Sequence, residues 1–309
     1  MINMELNYLS IDIGGTNIKT AMIDRSGTIN SQNRLKTPTS EAAFFRVLDN
    51  EIADVFERIR GIAISCPGKI DPNNGTVFYG GSLPFLDGIP LKERIERKFN
   101  LPVAVINDGK AAALSELWLG NLHQINYGAA ITLGTGLGGG IIIDGNLIQG
   151  SHYQAGEFSF MLKPTALPDI KSLYGFSGSA VALIKRCSEK LHLAEVTKGE
   201  VVFEELNKKN PIIYPLFQEF CQEIAYIIIN LQAILDVERV VIGGGISAQN
   251  LVIDEIQTQY LTIRKSIPIL NDSIQKIEII ACKYRNEANL LGALYQLLLD
   301  VDQKYQSAV

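Results

Sequence analysis

Cysteine is scarce and scattered in this 309-residue chain: Cys66, Cys187, Cys221 and Cys282 form no Cys-x-x-Cys pair. Thiols spaced this way, with no secretory signal read ahead of them, argue against a disulfide framework and for a reducing cytoplasm. Positive charge is also in short supply. With 28 Lys and Arg against 33 Asp and Glu, the formal charge is −5, and the pI near 5.4 speaks against a nucleic-acid surface. No apolar run is long enough to cross a bilayer. Residues 226–235 come nearest, but the run is short and holds Asn230 and Gln232, so it reads as one face of a buried helix. Low-complexity tracts are missing, and no Gly-Lys-Ser/Thr follows a glycine turn, which excludes a Walker loop. What remains is a cytoplasmic globular chain, 47% hydrophobic and long enough for two domains.

Its most informative stretch is Ile11-Asp12-Ile13-Gly14-Gly15-Thr16-Asn17-Ile18-Lys19. An apolar strand ends in Asp, turns on two glycines and leaves as a second strand. Gly14 and Gly15 allow a turn with φ > 0 and a close approach by a ligand, whose phosphate oxygens suit the free N–H groups. The nearby carboxylate suits magnesium. Alone, the stretch is equally an ordinary Gly-Gly hairpin. A second copy changes the balance: residues 129–143 again run strand, Gly/Thr-rich turn, strand, and both copies close on a polar turn, Asp24–Gly27 and Asp144–Asn146. Two such hairpins indicate a duplicated architecture with a nucleotide clamped between the halves. The second turn also matches G-x-G-x-x-G through Gly134, Gly136 and Gly139, but its glycines lead into Ile141-Ile142-Ile143, a strand. A dinucleotide site needs a helix there.

The pattern along the chain gives each half as βββαβαβα, a mixed sheet with helices on it. Strands are expected near 7–13, 17–23, 27–35, 60–66 and 102–106, an extended hairpin over 69–83, and helices over 40–57, 90–99 and 109–119. The second half gives strands at 128–134, 138–144, 147–150, 238–243 and 276–281. Its helices fall at 177–191, 200–207, 211–236, 249–262 and from 286.

Three further constellations carry chemistry. Val105-Ile106-Asn107-Asp108 empties a strand into two polar residues before a helix. Asp108 there either accepts the proton of an attacking hydroxyl or caps its helix. Glu157 is a lone acid in a glycine-rich, apolar loop, suited to sugar hydroxyls or to a plain surface role. Gly243-Gly244-Gly245 follow a buried strand and offer flat backbone to an adenosine, or a tight strand-to-helix connection.

Asp12-Ile13-Gly14-Gly15-Thr16 with Lys19, Asn107-Asp108, Gly134-Thr135-Gly136 with Gly138–Gly140, Gly156-Glu157 and Gly243–Gly245 resemble, in order and spacing, the ROK family over residues 7–298. That family of repressors, open reading frames and kinases has the duplicated, actin-like (ribonuclease H-like) α/β ATPase fold. The resemblance implies domains at 1–119, with helix 287–309 packing back on it, and at 120–286. It implies ATP and magnesium, a homodimer, and phosphorylation of the 6-hydroxyl of a hexose. By resemblance, Asp108 is the general base, and Asn107, Glu157, Gly68 and Ser82 meet the sugar. Asp12 helps hold magnesium, while Gly14, Gly15, Thr16, Gly134, Thr135 and Gly136 meet the phosphates. Gly244 and Gly245 face the adenosine. Lys19 either adds positive charge near the phosphates or sits on the exposed face of its strand. Family repressors carry a DNA-binding domain before the first motif. Only eleven residues precede Asp12, so an enzyme is expected rather than a sugar-sensing repressor.

Two departures set this chain apart. Many members follow Gly-Glu with a histidine and a zinc-binding cysteine cluster, whereas residues 158–186 here contain neither His nor Cys, so no zinc is expected. Phe160 stands where the histidine would touch the sugar's anomeric end, and Ser172-Leu173-Tyr174-Gly175 supplies no carboxylate. A less polar anomeric end favours glucose and β-glucosides. Phe160, with Phe158 or Tyr174 nearby in sequence, offers a stacking surface for a second ring. The alternative is an N-acetylmannosamine kinase.

Overall fold

The computed structural model describes residues 7–193 and 199–307. The chain forms two compact units, one of Met1–Gly120, Gln149–Ala155 and Glu287–Val309, the other of Asn121–Ile148 and Gly156–Asn286.

The first unit opens with three antiparallel strands, β1 (Asn7–Ile13), β2 (Asn17–Ile23) and β3 (Ile29–Lys36). Helix α1 (Glu41–Ala53) follows because Phe44, Phe45, Leu48 and Ile52 recur at helical spacing and make one buried stripe. Each such side chain contributes about 1.5–3 kcal/mol when it leaves water. Strand β4 (Ile59–Cys66) then runs parallel to β1. A short ribbon of β5 (Lys69–Ile70) and β6 (Val77–Phe78), helix α2 (Leu91–Phe99), strand β7 (Val103–Asn107) and helix α3 (Asp108–Trp118) complete the run. The sheet order is β3-β2-β1-β4-β7. Lying inside it, β1 is buried from Tyr8 to Ile13.

In the second unit the same plan recurs: β8 (Gly128–Leu133), β9 (Leu137–Ile143) and β10 (Asn146–Leu147) pair antiparallel. Helices α4 (Tyr174–Ser177), α5 (Ala180–Lys190), α6 (Gly199–Asn207) and α7 (Tyr214–Leu235) precede β11 (Arg239–Gly243). Helices α8 (Asn250–Ser266) and α9 (Pro268–Ser273) precede β12 (Glu278–Ala281), and the order β10-β9-β8-β11-β12 repeats that of the first sheet. The expected duplication is therefore present, strand for strand.

The last helix, α10 (Ala288–Ser307), packs in the first unit on α3, β4 and β7. Gly292 permits this approach, since a Cβ there would collide with the Ala111 carbonyl. Buried Ser10 on β1 is satisfied by the Leu290 carbonyl at 2.6 Å.

The structure departs from the sequence pattern in three places. The helix expected at 177–191 is present as α5 but starts only at Ala180, and the short α4 ahead of it ends at Ser177. The chain breaks at Gly178, where a Cβ would meet the Leu137 side chain at 2.6 Å, and Ser179 caps the restart. Of the hairpin expected over 69–83, only 69–70 and 77–78 pair; Asp71 and Asn74 side chains turn the intervening backbone instead. The strand expected at 147–150 is only 146–147, and Gly150 takes a left-handed φ of 77°.

Candidate active site

Sheet register places Asp12. It stands next to last in β1, with Lys19 opposite it on β2 and Ser65 beside it on β4. The residue is buried, with 10% of its side chain exposed. One carboxylate oxygen accepts from Ser65 Oγ at 3.3 Å and from Asn289 Nδ2 of α10 at 3.0 Å; the other lies 3.3 Å from Lys19 Nζ. Ser65 and Asn289 carry no sequence signal of their own, because only the fold brings them to Asp12.

Beyond Ile13 the chain turns through Gly14-Gly15-Thr16, closed by the Gly14 N–H donating to the Asn17 carbonyl at 3.0 Å. The turn corrects one expectation: neither Gly14 nor Gly15 has positive φ. Space is the reason for glycine here. A Cβ on Gly14 would come 3.0 Å from the Asn17 carbonyl, and one on Gly15 would collide with Ser82 Oγ. Ser82 therefore stands over this turn. Gly15 and Thr16 are exposed, and among the described residues their N–H groups donate to no protein acceptor.

The neighbouring edge of the sheet delivers Asn107 and Asp108. Asn107 ends β7 and caps α3, its Oδ1 accepting from the Lys110 N–H at 3.1 Å while its Nδ2 donates to the Gly68 carbonyl at 3.0 Å. Gly68 has φ of 103°, and a Cβ there would lie 2.7 Å from the Phe78 carbonyl. The capping role open to Asp108 in the sequence thus belongs to Asn107. Asp108 is the first helical residue, and its carboxylate accepts the Gly109 N–H at 2.8 Å. It is half-buried. Desolvation pushes its pKa up to about 6, the Asp12 charge adds to that, and the bonds from Gly109 and Asn107 oppose it. A carboxyl poised near neutrality is suited to accept a proton.

In the second unit, Gly134-Thr135-Gly136 join β8 to β9, with the Gly134 N–H on the Gly136 carbonyl at 3.0 Å. Gly138–Gly140 belong to β9 rather than to the turn. Their lack of side chains makes room: a Cβ on Gly139 would strike the Phe158 ring at 2.5 Å, and one on Gly156 would sit 3.0 Å from Gly140 Cα. The glycines of β9 thereby seat the Gly156-Glu157-Phe158 loop. Ser159 pins that loop, its hydroxyl bonding both the N–H and the carbonyl of Leu137 at 2.9 Å. Ser159 was not singled out in the sequence, where a serine between two phenylalanines carries no motif. Phe158 and Tyr174 are core residues, 3% and 5% exposed, so neither is a stacking surface; Phe160 is 63% exposed.

Gly244 reaches the same turn from β11. Its φ is 92°, and a Cβ would collide with the Leu133 carbonyl, whereas beside Gly245 there is open space. The cap of α5 arrives there too, with the Val181 N–H 3.4 Å from the Gly134 carbonyl. Asp12, Gly14, Gly15, Thr16, Lys19, Gly68, Ser82, Asn107 and Asp108 thus cluster at one end of the first sheet. Gly134, Thr135, Gly136, Glu157, Gly244 and Gly245 cluster in the second unit.

The ROK family model matches residues 8–299. The chain belongs to the ROK family. A β-glucoside kinase of Listeria innocua is 32% identical over 95% of this chain and 98% of its own. Among solved structures, a ROK family protein of Streptococcus pneumoniae in complex with sucrose matches at TM-score 0.86 and 26% identity. That match covers 96% of this chain and 100% of the other. A ROK glucokinase of Streptomyces griseus, in complex with glucose and AMPPNP, matches at TM-score 0.79 and 26% identity, over 93% and 97%. The two repeated sheets are those of the actin-like ATPase fold, and the chain is an enzyme of this family, a sugar kinase. No helix among the described residues is long and apolar enough to cross a membrane.

Proposed function

We propose that this kinase transfers the γ-phosphoryl group of ATP to the 6-hydroxyl of glucose and of β-glucosides. The observation that carries the reading is Asp108: half-buried, raised toward neutrality, and relieved of capping by Asn107. Asp108 takes the proton of the 6-hydroxyl as that oxygen attacks phosphorus and the bond to the leaving ADP oxygen breaks. Asn107 and Glu157 hold sugar hydroxyls, with Gly68 and Ser82 shaping the pocket edge. The free N–H groups of Gly15 and Thr16, with Gly134, Thr135 and Gly136, meet phosphate oxygens. Gly244 and the open backbone at Gly245 take the adenosine.

Magnesium fits the donors present: it keeps most of its waters and needs one or two carboxylates, and Asp12 is a hard oxygen ligand with Asp108 close by. Bound with ATP, it neutralises charge on the phosphates. Lys19, held on Asp12, adds a positive charge to the same corner.

Acceptance of β-glucosides rests on the anomeric end of the pocket. Exposed Phe160 offers a ring face, and 172–175 bring no carboxylate that an O1 substituent would leave unpaired. The name of the β-glucoside kinase relative supports the same reading. Incubation with glucose and Mg·ATP, followed by phosphorus NMR of the product, tests it. A single 6-phosphate is expected; phosphate on any other hydroxyl contradicts it.

A further inference from the structure

Lys110 lies on the first turn of α3, two residues past Asp108, and only 2% of it is exposed. A sunken ammonium is costly unless hydrogen-bonded, so its partners identify what it is for. Its Nζ donates to Gln149 Oε1 at 2.8 Å, to the Gln149 carbonyl at 3.3 Å and to the Tyr153 carbonyl at 2.8 Å. All three acceptors lie in Gln149–Ala155, a segment that belongs to the first unit although the residues on both sides of it belong to the second.

The segment is a closed loop: the Ala155 N–H donates to the Gln149 carbonyl at 3.2 Å, and the Tyr153 N–H to the Gly150 carbonyl at 3.2 Å. Gly150, Tyr153 and Gly156 all have left-handed φ, at 77°, 61° and 83°. For a bulky residue such as Tyr153 that conformation is disfavoured and persists only where contacts hold it. A small cavity lined in part by Asn107, Lys110 and Gln149 borders the contact, and the loop is tied further by Asn73 Nδ2, which donates to the Tyr153 hydroxyl at 3.4 Å. Directly after Gly156 comes Glu157.

We infer that Lys110 is a positioning residue for the sugar: its ammonium fastens Gln149–Ala155 to α3 and so sets where the chain enters Glu157. The inference rests on the reading of Glu157 as a sugar ligand. It also ties the helix that presents Asp108 to the segment that leads to Glu157.

The test compares wild type, Lys110→Met and Lys110→Arg in the full chain, by hydrogen exchange and steady-state kinetics. In Lys110→Met, the Tyr153 and Ala155 amides exchange at least about tenfold faster. KM for glucose rises about tenfold or more, while KM for ATP and kcat stay within about threefold. Lys110→Arg, which keeps a charged donor, recovers most of both effects. Unchanged exchange, or an equal rise in KM for ATP, overturns the inference. So does faster exchange with an unchanged KM for glucose. Should Lys110→Met fail to fold, Gln149→Leu removes one acceptor and leaves the lysine. A rise of about threefold in the glucose KM is then expected, and an unchanged value overturns the inference. A wild-type chain that phosphorylates no sugar counts against the function reading instead, and the exchange result still decides the tether.

Discussion

Asp108→Asn keeps the size of the side chain, and its acceptor for the Gly109 N–H, and removes only the charge. The two readings of this residue then give opposite results. As a general base, its loss lowers kcat by about 10²–10⁴-fold, with the dissociation constant for sugar within about tenfold. The structure adds a sign for stability. The folded-state pKa is about 6, above the ordinary 3.8, because burial disfavours the carboxylate. Between these values the folded state binds more protons than the unfolded one, so the wild type loses stability as pH rises through 6. The shift corresponds to at most about 3 kcal/mol above pH 6, and about 1–2 kcal/mol once the solvent reaching a half-buried group is counted. The asparagine variant is therefore expected to be more stable than wild type at pH 8. That advantage fades toward pH 4. Coupled ADP release, titration calorimetry with glucose and thermal unfolding at the two pH values measure all three quantities. Turnover above about a tenth of wild type removes Asp108 from the chemistry. A less stable variant at pH 8 refutes the account of its burial.

The wild-type acid limb of kcat/KM should have its midpoint near 6, the value burial gives Asp108 in the free enzyme; a limb near 4 contradicts that. Gly244→Ala forces a side chain into a φ of 92° against the Leu133 carbonyl, so it should cost about 2 kcal/mol or more of unfolding free energy and raise KM for ATP by a larger factor than KM for sugar. If exposed Phe160 serves the second sugar as proposed, Phe160→Ala should raise KM for cellobiose while leaving glucose within about twofold. Metal analysis should find no stoichiometric zinc, and chelation should leave the melting temperature unchanged, since 158–186 hold no Cys or His.

The repeated strand–turn–strand pattern was legible because buried strands in a mixed sheet write themselves as apolar runs, and glycine turns punctuate them. Asp12, Asn107 and Asp108 could be singled out for the same reason: the first two are polar residues closing apolar strands, and Asp108 follows directly on the second. The reasons for the glycines were less legible. Gly15 is required by Ser82, sixty-seven residues away, and Gly139 by Phe158, and such clearances exist only in three dimensions. The division of labour between Asn107 and Asp108 was equally hidden, because both residue types cap helices and only geometry assigns the bond. Phe158, Phe160 and Tyr174 read alike as aromatics. Packing buries the first and last and leaves Phe160 exposed.

Whether this sugar kinase tolerates a β-linked substituent at the anomeric end is decided by kcat/KM measured side by side for glucose, cellobiose and N-acetylmannosamine. Comparable values are expected for glucose and cellobiose, and a much lower one for N-acetylmannosamine. Exclusive use of N-acetylmannosamine, or rejection of cellobiose by more than about a hundredfold, would contradict that expectation.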